Sequence, residues 1–373
     1  MQKKSWKSQR MHAQNMDYSI LFLVLFLVGF GLVILYSTSS YKGSLYYNDT
    51  AAWVKKQAFF AVLGIVGMLF IAKIDYHFWK KKSWFAWFYY GLTAVLLFIT
   101  LILGAASHGA KRWIPLGPIK FQPSELAKIT LILFLAAFIN SKTKELRTVA
   151  GIFVPFLISL PLIGMVGVEN LSTCIIMLVI CFVMIFVSTP LKKPFIAIIG
   201  IGLAGALVLI ATQGYRMTRI IVWRNPAAYE DGNQTMQGLY AIGSGGLFGK
   251  GLGQSMQKLG FLPEANNDMI FSVICEELGL FGALCVLALF FALIWRFMVI
   301  AINAADLYGS MIVIGVIAHV GIQVFFNVAV ATNTIPNTGI PLPFIIYGGS
   351  SLIFLLAEMG LVLSVSRYIK IKK

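Results

Sequence analysis

Acidic residues are scarce in this chain. Its 373 residues carry fourteen Asp and Glu against thirty Lys and Arg, and charged residues total 12%. Soluble domains average about 25% charged residues, so a globular protein with a single anchor is excluded. Cysteine is nearly absent as well. Cys174, Cys181, Cys275 and Cys285 lie inside apolar runs with no CxxC or Cys/His spacing. That pattern reads as small core residues rather than a disulfide framework or a zinc site. His12, His77, His108 and His319 are scattered without metal-ligand spacing. The opening MQKKSWKSQRMHAQN is long, polar and basic and precedes a full-length apolar run, so it does not read as a cleavable signal.

What the chain has in abundance is apolar sequence, at 59% of all residues. A helix needs about 20 apolar residues to cross the hydrocarbon of a bilayer, and about ten runs qualify. They fall near 17–38, 57–73, 84–104, 124–140, 149–167, 171–188, 195–212, 269–295, 308–330 and 345–366. Continuous runs such as ILFLVLFLVGFGLVIL exclude the alternation of a membrane barrel. The expected fold is an all-α polytopic membrane protein, one membrane domain over 1–373.

Lysine and arginine orient it. Lys3, Lys4, Lys7 and Arg10, Lys73, Lys80, Lys81 and Lys82, Lys142, Lys144 and Arg147, Lys192 and Lys193, Arg296, and Arg367, Lys370, Lys372 and Lys373 occupy short loops and both tails. These segments, with tails 1–16 and 367–373, are expected in the cytoplasm. Most of the net charge of +16 then faces anionic lipid. Basic residues so dispersed do not make a nucleic-acid surface. WFAWFYY beside Lys82 reads as an interfacial aromatic belt. The external set comprises 39–56, 105–123, 168–170, 213–268 and 331–344. The large loop 213–268, between the seventh and eighth runs, is too long for a plain connector. Its aromatic and apolar residues suggest short amphipathic helices on the outer face.

Three external segments carry chemistry. In GAKRWIPLGPIKFQPSELAK, Pro123 suits a first helical turn. Glu125 and Lys128 share a helix face at i, i+3, either as a buried ion pair that fixes packing or as the wall of a polar substrate cavity. Lys111 and Arg112 beside Trp113 suit a phosphate at the membrane surface. In LPEANNDMIFSVICEELG, Asp268 falls at a helix start by the membrane–water boundary. It reads there as an N-terminal stabiliser or as a functional acid. Glu264 lies one turn earlier, and Glu276 and Glu277 lie within the helix, paired with interior polar groups. In NTIPNTGIPLPFIIYGGSSL, three prolines and three glycines forbid an uninterrupted helix and predict a broken or re-entrant segment. GSGGLFGKGLG matches neither a P-loop nor a dinucleotide fingerprint, so its glycines serve turns and close packing.

Taken in order, GAKRWIPLG…FQPSELAK, AIGSGGLFGKGLG…PEANNDMIF…EELG and NTGIPLPFIIYGGSSL resemble the SEDS family (shape, elongation, division and sporulation proteins), whose branches are RodA, FtsW and SpoVE. The resemblance runs from the first helix to the last. It implies a peptidoglycan glycosyltransferase that polymerises lipid II, with Asp268 as the catalytic residue. It also implies a class B penicillin-binding protein transpeptidase as partner, among other divisome or elongasome membrane proteins. FQPSELAK and PEANNDMIF lean toward the FtsW branch. One departure is VENLSTC, where the family often has a QPDLGT-like motif: Asn170 stands in place of the acid and Ser172 in place of the glycine.

Lipid II is a disaccharide on an undecaprenyl pyrophosphate. A sugar hydroxyl displaces the pyrophosphate with inversion, which needs a base on the attacking side and charge stabilisation for the leaving group. Asp268 is the candidate base. Lys111, Arg112, Arg216, Arg219 and Lys250 are candidate pyrophosphate cations, and Trp113, Glu125, Lys128 and Glu264 complete the candidate substrate-binding set. A divalent cation, Mg2+ or Mn2+, on Asp268 is a further expectation. The competing readings are a lipid II flippase and a non-catalytic division scaffold.

Overall fold

The computed structural model describes residues 16–80, 83–107, 110–116, 119–212 and 214–369, and their side chains except at 83, 105–111, 115–119, 203 and 206–216. In hydrocarbon every backbone polar group must be satisfied within its own segment, and the apolar runs accordingly form helices. They are α1 (Tyr18–Tyr47), α2 (Ala52–Lys73), α3 (Ser83–Leu103), α4 (Pro123–Ser141), α5 (Val149–Glu169), α6 (Leu171–Ser188) and α7 (Pro194–Thr212). The large loop holds α8 (Gly214–Arg224) and α9 (Asn233–Gly245), and α10 (Ile270–Asn303), α11 (Leu307–Ala331) and α12 (Gly349–Ser366) follow. Nine of these, all but α7, α8 and α9, are long and apolar enough to cross a membrane among the described residues. The run expected at 195–212 is α7, which contains no charged residue. It joins two faces of the bundle. Thr189 before it donates to Leu146 O at 2.6 Å, and Trp223 beyond it donates to Asn333 O at 3.0 Å.

The helical expectation is met with one addition. Residues expected as an external loop form a small antiparallel sheet, β1 (Ala105–Ser107), β2 (Ala110–Leu116) and β3 (Ile119–Phe121), in the order β1-β2-β3. Short hairpins satisfy a loop's backbone groups pairwise.

α4, α11 and α12 are the most buried of the nine, and α1, α2, α3, α5, α6 and α10 surround them. At the face expected in the cytoplasm, Asp17 starts α1 by accepting from the N–H groups of Ser19 and Ile20, and Arg296 of α10 pairs with it at 2.7 Å. Nearby, Asp306 caps α11 through Gly309 N and takes Tyr76 Oη at 3.0 Å and Lys80 Nζ at 2.8 Å.

α10 is interrupted. Gly279 has φ 67° and ψ −169°, a conformation open only to glycine. The break frees backbone groups, and a turn of the large loop takes them. Lys250 N and Gly251 N donate to the carbonyls of Glu276 and Glu277, each at 2.9 Å. Leu280 N and Phe281 N donate to the carbonyls of Gly246 and Leu247 at 2.9 and 3.0 Å. The GSGGLFGKGLG stretch therefore serves as the missing rungs of a helix, in keeping with its reading as turns and close packing.

Candidate functional site

Asp268 lies two residues before α10 and is 8% exposed. The Asp268 carboxylate takes backbone N–H groups of Asp268 and Met269 just before α10, in keeping with its reading as an N-terminal stabiliser. Three further elements hold the residue. Gln234 of α9 directs its Nε2 at both carboxylate oxygens, 3.3 and 3.4 Å away. Asn327 of α11, fully buried, donates one Nδ2 to Asp268 O at 2.8 Å and to Ile340 O at 2.9 Å. The segment between α11 and α12 closes the third side, where a Cβ on Gly339 would stand 3.8 Å from Asp268 Oδ2. Among the described residues no cation pairs with this carboxylate. Burial, reinforced by the charge of Glu264, raises its pKa to about 6, while the Gln234 amide opposes the rise. A carboxyl poised there can take up and release a proton near neutrality.

The segment 332–348 is helix-free and pinned along its length. Asn333 O takes Trp223 Nε1, and Asn337 O takes Arg219 Nη1 at 3.2 Å. Thr338 O takes the Ser172 hydroxyl. Asn266 O takes Tyr347 N, and Gln57 of α2 grips Ile346 O and Gly348 N. A Cβ on Gly31 of α1 would come within 2.6 Å of Phe344 O. The chain thus dives against the middle of α1, as the prolines and glycines predict. Phe344 itself is forced to φ 65°, a strain that persists only where packing over-determines it.

The first external segment meets the same seam. Glu125 and Lys128 form a buried ion pair at 3.0 Å, and Ser351 of α12 donates to Glu125 Oε2 at 3.0 Å. Arg112 donates through Nε to Glu169 O at 2.9 Å, and Trp113 is half-buried. The side chains of Lys111 and Arg216 lie outside the described residues. Asn170, at the departing motif, caps α6 by accepting from Ser172 N and Thr173 N. Glu264 sits in a turn with φ 52° and takes the Asn267 amide, and it faces Asp268 by charge rather than by a bond.

Lys250, expected at a pyrophosphate, is engaged elsewhere: its Nζ lies 2.7 Å from Glu276 Oε1. Glu277 pairs with Lys258 at 2.7 Å, and Ser37 of α1 bonds both. Both acids have the interior partners expected of them. Lys258 and Gln234 were not singled out by the sequence, which offers no spacing that marks either. A second polar pair, His319 with Glu358 at 2.7 Å, joins α11 to α12 deeper in the bundle. Among the described residues no three His, Cys, Asp or Glu cluster as a metal cage.

Fold and site together define a polytopic helical membrane protein with a buried carboxylate, Asp268, that no described cation pairs with at the loop-rich end of its bundle. The chain belongs to the FtsW, RodA and SpoVE family, described as "Cell cycle protein", whose sequence profile matches residues 18–371. It is 40% identical to stage V sporulation protein E of Bacillus subtilis (strain 168), over 94% of this chain and 97% of that one. It is 35% identical to a probable peptidoglycan glycosyltransferase FtsW of Geobacter sp. (strain M18), over 95% and 97%. Among solved structures it resembles a chain of a peptidoglycan synthase complex that coordinates polymerization and crosslinking, with TM-score 0.79, 29% identity and coverage of 96% and 99%. It also resembles the rod shape determining protein RodA of Thermus thermophilus, with TM-score 0.69, 28% identity and coverage of 94% and 97%.

Proposed function

We propose that the chain is a peptidoglycan glycosyltransferase that polymerises lipid II on the outer face of the bacterial cytoplasmic membrane. On this reading α7 joins the nine long apolar helices as a tenth pass, with both tails inside. The observation that carries the reading is Asp268, a buried acid with a pKa near 6, gripped by Gln234 at its oxygens and by Asn327 at its carbonyl. Asp268 accepts the proton of the acceptor sugar hydroxyl. As that oxygen bonds to the anomeric carbon of the donor, the bond from that carbon to the pyrophosphate oxygen breaks and the electron pair leaves with the pyrophosphate. Arg112 and Arg219, with Lys111 and Arg216, stand as the cations for that charge. The Glu125–Lys128 pair and Trp113 border the substrate path. A divalent cation would be held by Asp268 and by substrate phosphates, since Mg2+ commonly takes one or two carboxylates and keeps other ligands from phosphate and water. It would add charge neutralisation at the leaving group.

The relatives named FtsW are consistent with a leaning toward the FtsW branch, and the 40% identity to a stage V sporulation protein E keeps the sporulation branch beside it. A class B penicillin-binding protein is the proposed partner, supported by the likeness to a complex that couples polymerization with crosslinking. The buried His319–Glu358 and Glu125–Lys128 pairs give a flippase reading its one foothold. His319 and Glu358 are both at most 2% exposed, and a translocation path needs a continuous wet route. Purified chain given labelled lipid II decides: glycan strands are expected, and redistribution between leaflets without strands would overturn the proposal.

A further inference from the structure

The bundle carries its own depth gauge. Near the start of α1, Asp17 binds Arg296 of α10. Further along the same two helices, Ser37 donates to Glu277, which also pairs with Lys258. The helical rise between these polar ties is about 30 Å along either helix. That equals the thickness of a hydrocarbon core, about 30 Å. The exposure pattern agrees. On the outer side of the upper tie, Ile270 to Glu277 are all buried in protein. Immediately past it, large apolar side chains face outward at Leu280, Phe281, Leu284, Phe291 and Trp295. The outer hydrocarbon edge therefore runs at Gly279, and Glu276 and Glu277 sit at that edge rather than in the bilayer interior.

The glycine-rich turn lies at the same level. Its bonds from Leu280 N to Gly246 O and from Phe281 N to Leu247 O hold it beside the first lipid-facing turn of α10. Leu247, Phe248 and Leu252 are 64%, 80% and 52% exposed. Lys250, the one charged residue between Gly245 and Gln254, turns inward to Glu276. Apolar side chains so exposed, at the height where a spanning helix meets lipid, continue its lipid-facing surface. We infer that Leu247, Phe248 and Leu252 are embedded in the acyl chains of the outer leaflet, and that this turn anchors the loop bearing Asp268 at a fixed height. Asp268 then stands about 15 Å above the hydrocarbon edge, at the level of the polar headgroup of a lipid-linked substrate. That last step rests on the proposed function, whereas the anchoring does not.

The test uses the full chain in lipid nanodiscs, with Cys174→Ala and Cys285→Ala removing its two less buried thiols. An environment-sensitive fluorophore is attached at Phe248→Cys, at Leu252→Cys and, as a reference in the upper loop, at Tyr229→Cys. Nitroxide lipids labelled high on the acyl chain are expected to quench positions 248 and 252 several-fold more than 229, and aqueous iodide several-fold less. Iodide quenching at 248 and 252 equal to that at 229 would overturn the inference. So would protection from both quenchers, which would mean that a second copy covers the turn. Neither outcome touches the assay of strand formation.

Discussion

The side-chain amide of Gln234 faces both carboxylate oxygens of Asp268, at 3.3 and 3.4 Å, although the two residues belong to different elements of the outer face. That amide stabilises the ionised acid, while burial and Glu264 oppose it. Strand formation should therefore rise with pH through about 6, where Asp268 becomes an ionised base. Gln234→Leu should move the inflection upward and Glu264→Gln should move it down. A pH–rate profile of the purified chain checks both, and an inflection unmoved by either change would remove Asp268 as the titrating group.

Asp268→Asn should abolish strand formation while leaving expression intact. It should also stabilise the fold at neutral pH. The folded pKa, about 6, lies above the ordinary aspartate value of 3.8, so ionisation costs stability. The penalty is absent below the unfolded value and complete above the folded one, at roughly 3 kcal/mol. Thermal denaturation of both forms at pH 5 and pH 8 should show a gap that widens with pH.

Asn327→Ala removes one nitrogen that serves two carbonyls. Two buried acceptors lose their donor, at about 1–3 kcal/mol each. Misplacement of a catalytic group by even an ångström lowers rate by about 100-fold. The expected signature is a fall in kcat of about 10–100-fold with KM for lipid II little changed. A rise in KM alone would assign Asn327 to substrate binding instead.

Lys258→Met strands Glu277 in a buried site. Breaking such a pair costs about 3–5 kcal/mol, whereas replacing both partners by apolar residues is often neutral. The double variant Lys258→Met with Glu277→Leu should regain most of the lost melting temperature, less what the Ser37 hydroxyl loses. Equal destabilisation of single and double variants would show that the pair contributes packing, not charge.

Gly279→Ala places a Cβ 2.3 Å from Gly249 N at a φ of 67°. Strain in that region costs about 1–3 kcal/mol before any clash. The variant is expected to melt well below the parent in detergent, and a parental Tm would mean that α10 straightens at no cost.

Much of this was readable in the residues, and the reasons for the rest are physical. Helix positions follow from hydropathy because hydrocarbon leaves the backbone no other partner. Their ends do not. α1 runs on to Tyr47, past the expected end near 38: Ser37 binds Glu277 and Tyr41 lies beside Gly260 of the outer loop, while Leu45, Tyr46 and Tyr47 stay exposed. Asp268 was visible as an acid at a boundary. Gln234, an ordinary amide on a polar helix, became visible only once α9 was folded over it. Lys250 read as a free cation because nothing in its sequence neighbourhood shows Glu276 arriving from another element. His319 looked isolated for the same reason, its partner Glu358 lying on the next helix.

The break in α10 also dictates an order of assembly. A helix whose carbonyls at Glu276 and Glu277 are completed by residues 250 and 251 cannot finish on its own. The completing turn precedes α10 in the chain, so during synthesis it reaches the far side of the membrane before the helix that needs it is threaded. A circular permutant opened between α9 and α10 would reverse that sequence of arrival, and the kinked helix would have to wait, unsealed, for its own loop.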